Sequence, residues 1–210
     1  MTGTPIDLAT WSRAEQFRFF RGFERPHFAI TARVDATRLM QAKADAGLSV
    51  FRTCLWAVGA GLNAVPEARM RFRGDDVTLY DRFDLSPTIA LPSGDFAYTY
   101  IPWQSDRAAF DTEAARRIAA LRDGAPLSPN DGADKQDVAY LSCVPWLDYT
   151  ALGNAMPDAR DCIPRVGWGR IVPTATGHDM AMTVEVHHAL MDGRHAAQVF
   201  AATQEALDTL

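Results

Sequence analysis

Residues 180–200 read MAMTVEVHHALMDGRHAAQVF, the clearest strand-to-helix transition in the sequence. The apolar run from Met180 leads into two adjacent histidines, His187 and His188, then into a short turn and the pair Asp192–Gly193. A closing helix is predicted from there to about Leu207. A side chain at the end of a strand is held rigidly yet can contact a substrate. Because an imidazole has an unperturbed pKa of roughly 6.5, His188 is a candidate general base for a hydroxyl proton.

Three other interpretations of this segment compete with catalysis. The histidines can be satisfied core residues, with Asp192 as the N-cap of the closing helix. They can also form a metal site, because His188 and Asp192 are four residues apart and His195 is close by. The third interpretation is a pH sensor. No further group of histidine and cysteine residues completes a ligand set, so no metal is predicted.

Outward from this segment, helix and strand patterns alternate along the chain without an internal repeat. The stretch 124–134 (GAPLSPNDGAD) has the composition of a loop. The mixture predicts an α/β (α+β) two-layer sandwich, a mixed sheet flanked by helices, in a single domain over residues 1–210. Helices are predicted at about Leu8–Phe23, Val50–Val65 and Arg107–Leu121, with another that is capped by Asp35 and ends at Gly47; strands are predicted at His27–Val34, Val77–Tyr80, Thr88–Leu91, Phe96–Ile101, Val138–Val144, Arg165–Val172 and Met180–His187.

The composition excludes several classes of protein. A formal net charge of -5 argues against a nucleic-acid surface, which needs clustered basic residues. The longest apolar runs, such as Cys54–Ala60, are too short to span a bilayer, and the N-terminus shows no secretory pattern. Three cysteines without paired spacing suit a reducing compartment. We therefore expect a soluble, cytoplasmic protein without nucleic-acid or membrane partners.

The histidine segment resembles that of a known enzyme family. HHALMDGRHAAQVF, residues 187–200, is similar to the paired-histidine and Asp-Gly segment of the chloramphenicol acetyltransferases. Trp11–Phe17 (WSRAEQF) resembles their N-terminal Trp-x-Arg-x-Glu-x-Phe helix, and Ser142–Trp146 (SCVPW) resembles their Ser-x-x-Pro-Trp segment. Residues 68–81 (ARMRFRGDDVTLYD) resemble their strand hairpin. A bare His-x-x-x-Asp-Gly also occurs in 2-oxoacid dehydrogenase cores and in plant and peptide-synthetase acyltransferases, but the collinear extra segments favour the chloramphenicol branch.

This resemblance implies an acetyl-CoA-dependent O-acetyltransferase that acts on a small acceptor, with chloramphenicol the leading candidate. His188 matches the family's general base, and Ser142 matches the hydroxyl that stabilises the oxyanion. Asp192 matches a structural aspartate, for which a buried ion pair with Arg13 is implied.

The resemblance also implies a homotrimer with active sites at the subunit interfaces. His188 of one subunit would then face an acceptor pocket built largely by its neighbour. Phe20, Phe96 and Trp146 match aromatic positions that line the family's channel. Arg170 falls where the family tends to place a basic residue near CoA, which suits a phosphate.

Several departures from the family pattern concern the acceptor. Phe20 stands where drug-acetylating members often have a tyrosine, and Tyr98, at the same pocket, replaces a small residue. Glu24 falls at an apolar pocket position, and Gly167 replaces a threonine that holds a water. The stretch Asn130–Asp137 is also unusually polar. A reshaped acceptor pocket is therefore expected, and a non-catalytic small-molecule-binding protein on the same trimeric scaffold is the alternative. Acyl transfer to a larger, carrier-bound substrate has less support, because no carrier domain or linker is evident.

Overall fold

The computed structural model describes residues 2–123 and 135–210. Helices and strands alternate along these ranges, and a single turn of 3-10 helix at Pro66–Arg69 follows the third helix. The elements in chain order are β1 (Gly3–Pro5), α1 (Ala14–Arg21), β2 (His27–Asp35), α2 (Thr37–Ala46), α3 (Val50–Ala64), β3 (Met70–Arg73), β4 (Asp76–Tyr80), β5 (Asp84–Ala90), β6 (Phe96–Tyr98), α4 (Arg107–Arg122), β7 (Val138–Val144), β8 (Arg165–Gly169), β9 (Val172–Pro173), β10 (His178–His187) and α5 (Gly193–Asp208).

The main sheet has seven strands in these ranges, in the order β2-β10-β8-β7-β5-β6, with β9 beside β10. The three strands β8, β7 and β5 run parallel to one another, and the remaining pairs are antiparallel. A second, smaller sheet joins β1, β4 and β3. This is the mixed α/β architecture predicted from the sequence, and that prediction is confirmed.

The two faces of the main sheet differ in polarity, because successive residues of a strand point to opposite faces. One face is apolar and belongs to the core that it forms with the helices, with Leu141, Val166 and Val184 in one row. Helices α3 and α5 approach closely behind it. A Cβ on Gly61 would lie 2.7 Å from the carbonyl oxygen of Val199, so only glycine fits this contact. The other face carries polar residues along the same strands: Ser86, Tyr140, Ser142, Arg165, Thr183 and Glu185.

Most predicted elements occur within a residue or two of their expected bounds. Gly47 ends α2 with φ 66°, the left-handed conformation that glycine adopts without steric cost. The prediction that Asp35 caps α2 is wrong by one position: Ala36 is the N-cap, although the Asp35 carboxylate still accepts a hydrogen bond from the Thr37 amide at 2.7 Å. The predicted loop at 124–134 lies outside the described residues.

Three predicted elements are shorter than expected, among them the strand predicted at Phe96–Ile101, which ends at Tyr98. The strand predicted at Thr88–Leu91 is longer and begins at Asp84. The first helix begins at Ala14, not Leu8, because Asp7 organises a turn instead: its carboxylate accepts the Ala9 amide and its carbonyl accepts the Trp11 amide. The strand predicted at Arg165–Val172 ends at Gly169. There the Arg170 amide donates to the carbonyl of Leu147 at 2.8 Å and leaves the ladder of the sheet. Within the described ranges, no helix is long and apolar enough to cross a membrane.

Candidate active site

His188 lies immediately beyond the end of β10 and is held by its backbone and its ring faces. Its amide donates to the carbonyl of Pro26 at 2.9 Å. The imidazole stacks on Phe20 with ring centroids 3.8 Å apart and an interplanar angle of 5°, and Phe28 contacts it at 4.7 Å. The Nδ1 atom is buried and has no hydrogen-bond partner among the described residues. Two aromatic rings therefore fix the plane of this half-buried side chain.

His187 is the core histidine of the pair. Its Nδ1 accepts the Ala189 amide at 3.1 Å, and its Nε2 lies 3.0 Å from the carbonyl oxygen of Ala159, to which this tautomer donates. Burial lowers the pKa of His187 to about 4, so the ring is neutral at neutral pH. The core interpretation considered for both histidines thus fits His187. Its contact with the Ala189 amide shapes the turn that presents His188.

Asp192 connects this turn to two helices. Its Oδ1 accepts the amides of Arg194 and His195 as the N-cap of α5, and Arg13 Nη1 donates to its Oδ2 at 2.6 Å. Partial burial alone would raise the pKa of the Asp192 carboxyl, but Arg13 and His195 hold that pKa below its usual range. The expectation of a buried pair needs correction, because the side chains of Arg13 and Asp192 are 13% and 35% exposed.

Five of these residues form one group, which we call the base edge: Arg13, Phe20, Phe28, His188 and Asp192. All five lie close to the point where α1, the start of β2 and the end of β10 meet.

Ser142 lies elsewhere, at a cavity of about 1250 Å³ beside β5, β6, β7 and β8. This space, called the sheet cavity below, is also lined by the predicted residues Phe96, Tyr98, Trp146 and Arg170. Aromatic side chains at this cavity are exposed to solvent in the single chain: Phe96 is 56% exposed and Trp146 is 72% exposed. The structure therefore brings together every predicted acceptor and CoA residue except Phe20, which lies at the base edge.

The base edge and the sheet cavity are far apart in one chain. Ser142 pairs with Gly167, which pairs with Thr183 on β10, and His188 follows five residues further along. Two strand spacings and five residues amount to roughly 15–20 Å between Cα atoms. Moreover, the His188 ring contacts Phe28, on the face of the sheet opposite to Ser142. One substrate group cannot contact both side chains of the same chain.

The structure also shows where the residues that depart from the family pattern lie. A Cβ on Gly167 would lie 2.2 Å from the Leu152 Cδ2 atom, so Leu152 fills the space that a threonine side chain would need. Tyr149 closes the same position by donating its hydroxyl to the Gly167 carbonyl at 2.8 Å. Glu24 is exposed in the turn after α1 and does not line the sheet cavity. Of the polar stretch 130–137, only residues 135–137 are described.

Sequence reasoning missed Arg165, which lines the sheet cavity although only 9% of its surface is exposed. Its Nη2 donates to Asp161 at 2.8 Å and its Nη1 to the carbonyl of Ile163 at 3.1 Å. The signal was an arginine that alternates with Gly167 and Gly169 at the start of β8, which gives it a position on the polar face. Within the described ranges, no group of three or more His, Cys, Asp or Glu side chains could hold a metal ion.

Comparisons with known proteins agree with one another. Residues 1–204 match the family profile described as chloramphenicol acetyltransferase. Chloramphenicol acetyltransferase 3 of Escherichia coli is 23% identical over 207 residues, which cover 98% of this chain and 97% of that protein. The chloramphenicol acetyltransferase of Streptomyces acrimycini is 26% identical over 201 residues, with 94% and 91% covered.

Two solved structures extend the comparison to the fold. A chloramphenicol acetyltransferase superposes with a TM-score of 0.86 at 28% identity, covering 98% of this chain and all of that one. The dihydrolipoamide acetyltransferase of Azotobacter vinelandii has a TM-score of 0.68 at 17% identity, with 92% and 86% covered, and is similar in fold alone.

Proposed function

The chain belongs to the chloramphenicol acetyltransferase family and is an acyltransferase; from this premise we propose that it transfers the acetyl group of acetyl-CoA to a hydroxyl of a small acceptor. Chloramphenicol is the leading candidate, because it is the substrate named for the relatives. Residues 1–210 form one acyltransferase domain in this proposal, and the reaction takes place in the cytoplasm, where the three free cysteines stay reduced.

In the proposed reaction, Nε2 of His188 removes the proton of the acceptor hydroxyl as its oxygen attacks the thioester carbonyl. The tetrahedral intermediate carries an oxyanion, to which the Ser142 hydroxyl donates a hydrogen bond. Its collapse breaks the carbon–sulfur bond, and the departing CoA thiolate takes the proton back from the imidazolium. Phe20 and Phe28 hold the imidazole plane throughout, and the Arg13–Asp192 pair holds the turn.

The separation of His188 from Ser142 is the observation that carries the assembly part of this proposal. A complete site needs the base edge of one copy against the sheet cavity of another. These are two different surfaces, so the contact is heterologous, and a ring with rotational symmetry satisfies it for every copy. A homotrimer is such a ring. The exposed aromatic side chains of Phe96, Tyr98 and Trp146 are then covered by the neighbour.

Within that site, Phe96, Tyr98 and Trp146 form the acceptor walls, together with Phe20 from the neighbouring base edge. Arg170 is exposed at the cavity, and its guanidinium has no partner among the described residues, which suits a CoA phosphate.

The decisive experiment follows CoA release from acetyl-CoA with a thiol reagent, with chloramphenicol and with a panel of other alcohols. His188→Ala is expected to lower turnover by about 10²–10⁴-fold, since it removes the base. Ser142→Ala is expected to lower it by about 10²–10³-fold. His178→Ala, a histidine of the same strand outside the two half-sites (the base edge and the sheet cavity), is the matched control and should keep the parent's rate.

Two outcomes would contradict the proposal. Turnover that survives in His188→Ala would remove the base assignment. A parent protein that binds acceptors but releases no CoA with any of them would favour the alternative, a non-catalytic binding protein on the same scaffold.

A further inference from the structure

The floor of the sheet cavity contains a buried charge that the proposed reaction does not use. Arg165 is more than nine-tenths buried, and it lies one strand across and two residues along from Ser142. This offset corresponds to roughly 8 Å between their Cα atoms. Arg165 is thus close enough to contact a small molecule whose hydroxyl reacts beside Ser142.

The guanidinium of Arg165 has more donors than the chain satisfies. Of its five N–H groups, one bonds to Asp161 and one to the carbonyl of Ile163. The other three have no partner among the described residues. Burial leaves few places for these donors to find water, and the residue lines the cavity. The unused donors therefore have a ligand-sized space in front of them.

Tyr140 adds a second polar group to the same floor. Its ring centroid lies 5.2 Å from the Arg165 Cζ atom, and it also lines the cavity. Its hydroxyl has no hydrogen-bond partner among the described residues. Asn154 lies at the cavity too, but its amide already donates to Glu185 at 2.8 Å. Arg165 and Tyr140 thus supply free donors at this end of the cavity, together with the Ser86 hydroxyl of the same row and the second N–H of the Asn154 amide.

An acceptor that covered this floor with plain hydrocarbon would strip water from these donors without replacing it. Such unpaired donors are costly, and sites built to hydrogen-bond a group reject analogues that lack it. We propose that Arg165 and Tyr140 select acceptors that carry hydrogen-bond-accepting oxygens at the end remote from the reacting hydroxyl. This inference rests on the proposed acetyl transfer and names the chemistry of its acceptor.

Two kinds of oxygen group fit these donors, one neutral and one negatively charged. The carboxylate of Asp161 already partners Arg165, which favours a neutral group such as nitro or carbonyl. Exposed cations at the cavity, Lys43, Arg122 and Arg170, favour a carboxylate. A neutral group and a carboxylate both offer hydrogen-bond-accepting oxygens to Arg165, so the experiment includes one acceptor of each kind.

The test uses three acceptors that share one skeleton: chloramphenicol, its analogue with hydrogen in place of the nitro group, and its analogue with a carboxylate there. For each, kcat/KM is measured by CoA release, and the dissociation constant by calorimetry without acetyl-CoA. In the parent, kcat/KM for the hydrogen analogue should be about ten-fold or more below kcat/KM for the better of the two oxygen analogues, and the dissociation constants should show a similar ratio. Arg165→Met and Tyr140→Phe should reduce this ratio, and Arg116→Met, an exposed arginine on α4, should preserve it.

The readouts separate the two levels of the proposal. If the parent binds or acetylates the hydrogen analogue as well as the oxygen analogues, the inference is overturned while acetyl transfer stands. If no acceptor is turned over but binding shows the ratio, acetyl transfer fails and the recognition stands. Should Arg165→Met fail to fold because Asp161 is left unpaired, Tyr140→Phe decides, since Tyr140 has no ion pair. A Tyr140→Phe ratio equal to that of the parent would then count against the inference.

Discussion

The base edge and the sheet cavity differ in how far a single chain supplies hydrogen-bond partners for their polar groups. At the base edge, Asp192 is bonded to Arg13 and to two helix amides, and both nitrogens of the neighbouring His187 have partners. At the sheet cavity, the Ser142 hydroxyl has no partner in the described part of the chain, and aromatic walls stand open. A single chain thus satisfies Asp192 and His187, although the buried Nδ1 of His188 and Nε of Arg13 have no partner in the described ranges. In our proposal, the cavity is completed by a ligand and a neighbouring copy. The supported histidine and the open cavity are therefore separated in space.

The largest effect is expected from mixing two defective chains. His188→Ala retains the cavity and Ser142→Ala retains the base, so a shared site forms only between unlike copies. Unfolding and refolding a 1:1 mixture should restore about one quarter of the parent's active sites, because each site draws its two halves at random. Activity is measured by CoA release, and mixing without refolding is the control. No recovery would mean that both residues act within one chain and would break the comparison.

A second prediction concerns His187, whose two ring nitrogens both have hydrogen-bond partners within the chain. Its pKa is lowered to about 4 in the folded protein, so the unfolded chain binds a proton first as the pH falls. Stability from this histidine is complete above about pH 6.5, declines as the pH falls and is lost below about pH 4, amounting to at most about 3 kcal/mol. Urea unfolding between pH 4 and 7 measures it.

The control for this prediction is a difference between variants, because carboxylates also titrate in acid. His187→Gln should be less stable than the parent at pH 7, with a shallower loss toward pH 4. Equal slopes in the parent and His187→Gln would show that this histidine is not held neutral by the fold.

The smallest effect is expected from the Arg13–Asp192 pair, because it is partly exposed. Arg13→Ala should cost about 1–2 kcal/mol of unfolding free energy, since a charged hydrogen bond is lost. It should lower kcat while leaving the KM for the acceptor unchanged, because the sheet cavity is untouched. Arg18→Ala, an exposed arginine on the same helix, is the matched control. A rise in KM with an unchanged kcat would show that the two half-sites are not independent.

Local patterns predicted much of the fold and part of the site. Strand β7 occurs at its predicted bounds, and α5 begins at Gly193 as expected, because alternation, capping and turn residues act within a few positions. The resemblance to the family led to Arg13 as the partner of Asp192, and the two are in contact. The N-terminal helix was overextended because its apolar spacing continues through a turn that the Asp7 side chain forms.

The sequence by itself determined the order of strand, paired histidines, turn and helix, and with it the identity of the candidate base. Only the tertiary structure decided which histidine is the core residue, where Arg165 lies, and how far Ser142 is from His188. These depend on the register between strands that lie far apart in the chain, such as β2 and β10. Register is fixed by side-chain packing across the whole sheet, and no local pattern contains it.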